Sequence, residues 1–129
     1  MVTRQYELGD AEFGVMKVLW DVGPATVRDV LDHLHRRGRR LAYTTVQTLL
    51  TRLEQKRYVA SDKSGMAFVY RPRVSRDRVS RSRLSVLLAQ VYDGSAGPLV
   101  LQLVRDEQLS QEELRELQAL IKELDERPK

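Results

Sequence analysis

A mainly α fold with one small β-hairpin is predicted by three features of the sequence. Between residues 9 and 57, apolar side chains recur on three segments at the spacing that lines one face of a helix. Residues 58–63 and 67–71 then flank Ser64-Gly65-Met66, and Phe68 and Tyr70 alternate with Ala67 and Val69 as a half-buried strand should. Beyond residue 83 the helical spacing returns, with leucine at most apolar positions. A chain of 129 residues that is 42% apolar supports one domain, or one small domain with an appendage.

Each element carries its own signals. The first helix is expected over residues 9–21, with Gly9 as N-cap, Glu12 at the third helical position and a hydrophobic staple between Leu8 and Phe13. Phe13, Met16, Leu19 and Trp20 form its apolar face, and Gly23-Pro24 stops it. Thr26 with Asp29 makes a capping box for a second helix, on which Val27, Val30, Leu31 and Leu34 share a face. That helix runs out into Arg36-Arg37-Gly38-Arg39-Arg40, a run that suits the negative end of the helix dipole and is also a candidate phosphate contact. The third helix is expected over residues 44–57, with Val46, Leu49, Leu50 and Leu53 facing inward; Ala42 is a poor cap, and Thr44 with Gln47 a better one. Pro72 should end the hairpin. A fourth helix carries the stripe Leu84, Leu87, Leu88, Val91 and Tyr92 until Asp93-Gly94-Ser95 and Gly97-Pro98 break it. Residues 99–104 are almost wholly apolar and read as a short buried helix. Ser110 with Glu113 opens a last helix with Leu114, Leu117, Leu120, Ile121 and Leu124 on one side.

Composition narrows the function. The chain has no cysteine, which excludes a disulfide framework, cysteine-ligated metal and thiol catalysis. No apolar run reaches the ~20 residues of a membrane span, and residues 1–9 lack the apolar stretch of a signal peptide. A cytoplasmic protein without membrane insertion is therefore expected. His33 and His35, the two histidines, are two residues apart on a helix and do not share a face, which disfavours a two-histidine metal site. No acid cluster stands beside them, so neither a metal, a cofactor nor an enzymatic activity is expected.

The net charge of +4 hides an asymmetry. Residues 1–83 carry 17 basic and 9 acidic side chains, a net of +8, whereas residues 84–129 carry 5 and 9, a net of −4. Within residues 36–83 the counts are 14 and 3, a net of +11. A basic half joined to an acidic half suggests nucleic-acid binding in the first and a different task in the second.

Three short helices followed by a hairpin is the order of a winged helix-turn-helix, in which the third helix enters the major groove and the hairpin, or wing, lies along the backbone. At about 100° per residue, Thr44, Thr48, Thr51 and Gln55 fall opposite the core face of the third helix, flanked by Thr45, Gln47 and Arg52. Threonine costs up to ~0.7 kcal/mol relative to alanine in a helix, so four within eight residues cost on the order of 2 kcal/mol. A helix selected only for solubility would carry Glu and Lys there. Threonine offers a hydroxyl to phosphates and a methyl to thymine, and glutamine can pair with adenine N6 and N7. Glu54 is the only acid between Leu41 and Arg57. The candidate DNA-contacting residues are thus Tyr43, Thr44, Thr45, Gln47, Thr48 and Arg52 on the helix and Lys63 and Arg71 on the wing. The competing reading is an ordinary threonine-rich polar face beside a solubilising strand edge.

The last third has more apolar side chains than short helices packed only on themselves require. Leu84, Leu87, Leu88, Val91, Leu99, Leu103, Leu114, Leu117, Leu120, Ile121 and Leu124 are the candidate dimer interface. A two-fold dimer sets two recognition helices ~34–36 Å apart and calls for a palindromic operator. Packing of these helices back on the N-terminal domain is the alternative. The expected division is residues 1–73 as the winged-helix DNA-binding domain and residues 74–129 as a helical dimerisation domain.

Leu8-Gly9-Asp10-Ala11-Glu12 with Val15-Met16-Lys17-Val18-Leu19-Trp20, the stretch from Ala42-Tyr43-Thr44-Thr45 to Leu53, Phe68-Val69-Tyr70 and Leu99-Val100-Leu101 together resemble the penicillinase-repressor (BlaI/MecI/CopY) family of bacterial regulators over nearly the whole chain. The resemblance implies a homodimeric winged-helix repressor that dimerises through its C-terminal helices. It also implies an operator of palindromic, commonly TACA/TGTA, type near resistance or stress genes. Base contacts carry over onto Thr45 and Gln47, with Thr44, Thr48 and Arg52 beside them; members closest to the β-lactam repressors have Arg in place of Gln47. A membrane sensor-protease is an implied partner of the β-lactam-responsive members, which are cut at an Asn-Phe bond. The candidate cleavage position here is Gln102–Leu103, where both residues differ. Copper-responsive members carry a C-terminal cysteine motif that this chain lacks. Outside this family reading, the alternative function is a winged-helix protein-interaction module that does not read DNA.

Overall fold

The computed structural model describes residues 7–128. The elements follow in the order α1 Asp10–Val22, β1 Ala25–Thr26, α2 Val27–Arg36, α3 Tyr43–Gln55, β2 Val59–Asp62, β3 Val69–Pro72, α4 Arg76–Val91, α5 Ala96–Arg105 and α6 Gln111–Asp125. This is the mainly helical, winged helix-turn-helix order expected, followed by C-terminal helices. The chain divides after Arg83 into two compact units.

In the N-terminal unit the predicted faces of α2 and α3 become a core, and that of α1 does so in part: Met16 and Leu19 are buried beside Val15 and Val18, which the expected face omits, while Phe13 and Trp20 are only half-buried at its edge. Val15, Met16, Val18 and Leu19 of α1, Val30, Leu31 and Leu34 of α2, and Val46, Leu49, Leu50 and Leu53 of α3 are all buried, together with Tyr58, Val59 and Tyr70. The helix ends form where the sequence signals them. Glu12 Oε1 accepts from the Gly9 N–H at 3.1 Å, and the Gly23 N–H, from a residue at φ 82°, donates to the Leu19 carbonyl. Thr26 and Asp29 bond reciprocally at 3.1 Å, which holds the Asp29 carboxyl below its usual value. The oxygens of Glu12, a buried carboxylate, also accept from Lys56 Nζ at 3.0 and 2.9 Å, tying the end of α3 to the start of α1.

Several expectations need correction. A third strand, β1, joins the hairpin to give an antiparallel sheet of order β1-β3-β2, with Ala25 opposite Tyr70 and Thr26 opposite Val69. Two residues are too few to show strand alternation; pairing with β3 creates this strand. Phe68 lies outside β3 and is 45% exposed; Pro72 ends the strand as expected, as its last paired residue, opposite Val59. Because β1 pairs only with Val69 and Tyr70, the sheet has a single neighbouring strand at Pro72, and its missing N–H is tolerated. α3 starts at Tyr43 with Ala42 as an N-cap that makes no side-chain bond, so the Thr44–Gln47 cap is not used. α3 stops at Gln55, where Arg57 at φ 67° turns the chain and the Tyr58 N–H bonds the Leu53 carbonyl at 2.9 Å.

The arginine run after α2 is partly structural. Arg37 donates to Asp21 at 2.7 Å, and Arg39 lies over Gly14, where a Cβ would sit 3.1 Å from its guanidinium. Asp21 also accepts from Arg76. Trp20 Nε1 donates to the Val74 carbonyl at 2.9 Å, and Val74 and Val79 are buried in the same core. These contacts explain why the N-terminal unit extends to Arg83 rather than ending at Arg73. α4 runs through the division.

In the C-terminal unit Gly97 and Pro98 do not break a helix; they sit in the first turn of α5, where proline removes no intrahelical bond. Residues 99–104 are helical, but they are not buried: Val100, Leu101, Leu103 and Val104 are 37–53% exposed. α6 begins as its sequence signals, with Ser110 Oγ accepting from the Glu113 N–H at 3.1 Å. Among the described residues no single helix is long and apolar enough to cross a membrane; α4 and α5 together reach the length but are bent by 95° at their break. The signal-peptide expectation for residues 1–9 falls largely outside the described residues.

Candidate nucleic-acid interface

α3 has two chemically opposite sides. Val46, Leu50 and Leu53 are fully buried and Leu49 nearly so, while Tyr43, Thr44, Thr45, Gln47, Thr48, Thr51, Arg52 and Gln55 are exposed. Thr44, Thr45, Thr48 and Arg52 line one shallow concavity; Gln47, Thr48, Thr51, Arg52 and Gln55 line a second. The fold thus brings the helix candidates together on one surface and adds Thr51 and Gln55 to it. Glu54, the one acid of this helix, is turned away and accepts from the Ser61 N–H of β2 at 2.9 Å and from the Ser61 hydroxyl. The exposed side therefore carries Arg52 and no carboxylate.

Two of the threonines work differently from the expectation. Thr48 and Thr51 donate their hydroxyls to the Thr44 and Gln47 carbonyls, each at 2.9 Å. Their hydrogens are committed to the backbone, so they present methyl groups and acceptor lone pairs. The start of α3 adds its first backbone N–H groups as donors, which the Ala42 cap leaves without a side-chain partner.

The wing adjoins this surface. Thr26, Arg28, Tyr43, Gln47, Met66, Phe68 and Tyr70 line a groove between α3 and the hairpin. The Arg28 guanidinium lies 5.3 Å from the centre of the Tyr43 ring. Arg28, Met66 and Phe68 were not anticipated as part of this surface. Arg28 sits three residues before Leu31 on a polar face with no motif, Met66 belongs to the expected turn, and Phe68 to the expected strand. The wing candidates behave unequally. Lys63 Nζ is 5.5 Å from the Phe68 ring centre and 4.0 Å from Glu54, and Arg71 is exposed on β3; neither lines the groove. Burial, and secondarily the Glu54 carboxylate, push the Tyr70 phenol above its usual range. Tyr70 remains a neutral wall of the groove.

The dimer candidates are all in the C-terminal unit or at its edge. Leu84, Leu87, Val91, Leu103, Leu120, Ile121 and Leu124 are exposed, and Leu88, Leu99, Leu114 and Leu117 are half-buried. Gln102 and Leu103 lie in the middle of α5. His35 Nε2 is 3.0 Å from the Leu41 carbonyl, and among the described residues no three His, Cys, Asp or Glu side chains gather as a metal site would require.

Comparison with known proteins places this geometry. The family model described as "Penicillinase repressor" matches residues 8–123. The chain is 31% identical over 117 residues to the penicillinase repressor of Bacillus licheniformis, covering 91% of each chain. It is 41% identical over 90 residues to the transcriptional regulator BlaI of Mycobacterium tuberculosis, covering 69% of this chain and 64% of that one. The solution structure of the DNA binding domain of the repressor BlaI aligns with a TM-score of 0.51 at 30% identity, covering 60% of this chain and 93% of the other. An α3 with an acid-free exposed side, a paired wing and a family match spanning both units lead to one conclusion: the chain belongs to the penicillinase repressor family.

Proposed function

We propose that this chain is a transcriptional repressor that binds a palindromic operator as a homodimer, with α3 in the major groove and the wing on the neighbouring backbone. The observation that carries the reading is the exposed, acid-free side of α3, on which Gln47 and Arg52 stand among threonine methyl groups. Its first N–H groups, free of a side-chain cap, suit a DNA phosphate. The BlaI relative is itself described as a repressor with a DNA binding domain, which supports the assignment. Dimerisation is supported by the leucines of α5 and α6 that nothing in the single chain covers. Repression would follow from occlusion of a promoter and end when the dimer weakens. A membrane sensor-protease acting at Gln102–Leu103 would have to unwind the middle of α5 before cutting.

Selection from random duplex DNA at near-physiological salt tests the reading. The expected result is an enriched palindrome with half-sites about one helical turn apart. Gln47→Ala should then cost ~1–3 kcal/mol on the preferred site and relax one base position. Equal loss on all duplexes would remove Gln47 as a base reader. No binding at all would favour the protein-interaction module.

A further inference from the structure

The hairpin between β2 and β3 ends in an apolar tip that the fold does not use. Met66 is 107% exposed, Ala67 beside it is exposed, and Phe68 is 45% exposed. A cation stands near the tip, Lys63 over the Phe68 ring, and exposed Arg71 follows two residue pairs further down the hairpin, opposite Ala60. The acid of this segment, Asp62, is turned into the loop, where it accepts from the Ser64 N–H at 2.9 Å and the Ser64 hydroxyl at 2.7 Å. The base of the wing is held to α3 by the bond from the Ser61 N–H to Glu54. Met66 and Phe68 line the same groove as Tyr43 and Gln47, so the tip is on the side of the unit that carries the exposed face of α3.

A methionine this exposed adds nothing to the core, and a tip that only touched phosphates would be served by Lys, Arg or Ser. Methionine is unbranched and flexible, suited to filling an irregular gap. Apolar side chains that enter the minor groove unstack a base step and kink the duplex. The cost of that distortion is lowest at pyrimidine–purine steps, so it selects sequence without a hydrogen bond to any base. The geometry points to Met66 as a specificity-determining residue: an apolar wedge in the minor groove flanking each half-site, with Lys63 and Arg71 on the adjoining phosphates. The inference rests on the operator-binding reading above and adds a second source of sequence preference, outside the bases that α3 reaches.

The test uses the full-length chain and duplexes that carry the selected half-sites between randomised flanks. The wild-type protein should enrich pyrimidine–purine steps in the flanks and prefer them on the order of tenfold over G·C-rich flanks. Met66→Ala should lose that preference, and Met66→Leu should restore it. Energy transfer between dyes at the duplex ends should report a bend with the wild type that Met66→Ala lacks. An unchanged flank profile in Met66→Ala overturns the wedge, as does a uniform loss on every duplex, which marks a backbone contact. A change confined to cooperativity between neighbouring dimers also overturns it and marks a protein contact. If the wild type enriches no half-site at all, the operator reading falls and the wedge with it; a failure confined to the flanks leaves that reading standing.

Discussion

Val46, Leu49, Leu50 and Leu53 on α3 have the same spacing as Leu117, Leu120, Ile121 and Leu124 on α6. On α3 the four are 0–6% exposed; on α6, Leu120, Ile121 and Leu124 are 50–57% exposed. Every buried hydrophobic side chain among the described residues lies at or before Val79. Spacing thus tells which side of a helix is apolar and is silent about what covers it. Burying a leucine stabilises by roughly 1.5–3 kcal/mol, and the N-terminal unit collects that gain within one chain. Ten large apolar side chains of the C-terminal unit, from Leu84 to Leu124, do not, which is the physical ground for the homodimer proposed above.

The largest test of this contrast removes residues 84–129. The remaining unit has a complete core and should stay folded as a monomer, while operator affinity falls on the order of 10²–10⁴-fold because two half-sites no longer bind as one. Sedimentation and operator titration check both halves of the statement, and a dimer in the truncated protein would refute the assigned interface. Next in size is Leu50→Ala, which should cost ~2–5 kcal/mol in thermal or urea unfolding, with a loss independent of protein concentration. The matching change in the other unit, Leu120→Ala, should cost on the order of 1 kcal/mol in dimer dissociation. Its effect on Tm should shrink as protein concentration rises. Equal, concentration-independent losses in the two variants would break the comparison.

The smallest expected effects are those of acid. Hydrogen bonds from Arg76, then Arg37, hold the Asp21 carboxyl below its ordinary value of 3.8; in the other unit, the Ser110 N–H and hydroxyl hold Glu113 below 4.5. Both groups are lowered in the folded state, so each contributes stability above its ordinary value that is lost as pH falls through the folded one. Asp21→Asn should therefore lower the Tm slightly at pH 7 and converge with the wild type in strong acid. Its effect should not depend on protein concentration. Glu113→Gln should act through α6, and its loss should follow the dimer. Parallel Tm profiles for the wild type and Asp21→Asn down to pH 2 would show that Asp21 does not anchor the start of α4.

Local chemistry accounts for most of what could be read in advance. Thr26–Asp29, Ser110–Glu113, Gly23 and the apolar faces of α1, α2 and α3 behave as their side chains dictate, because capping and amphipathicity act within a few residues. The candidate DNA face was readable for the same reason: Thr44, Thr45, Gln47, Thr48 and Arg52 are neighbours on one helix. The other half of the surface was not. Arg28 comes from α2, Met66 and Phe68 come from the wing, and no periodicity links them to Gln47.

The presence and order of the helices, the basic and acidic halves and the family resemblance were therefore legible in residue order alone, since each depends on contacts or sums along the chain. Pairing of Ala25–Thr26 with β3, the turning of Glu54 toward Ser61, the anchoring of Val74 under Trp20 and the exposure of Leu120 and Ile121 depend on groups up to 54 residues apart. Such contacts exist only once the elements have packed, because burial and hydrogen-bond partners are properties of the packed arrangement and not of any local stretch of sequence.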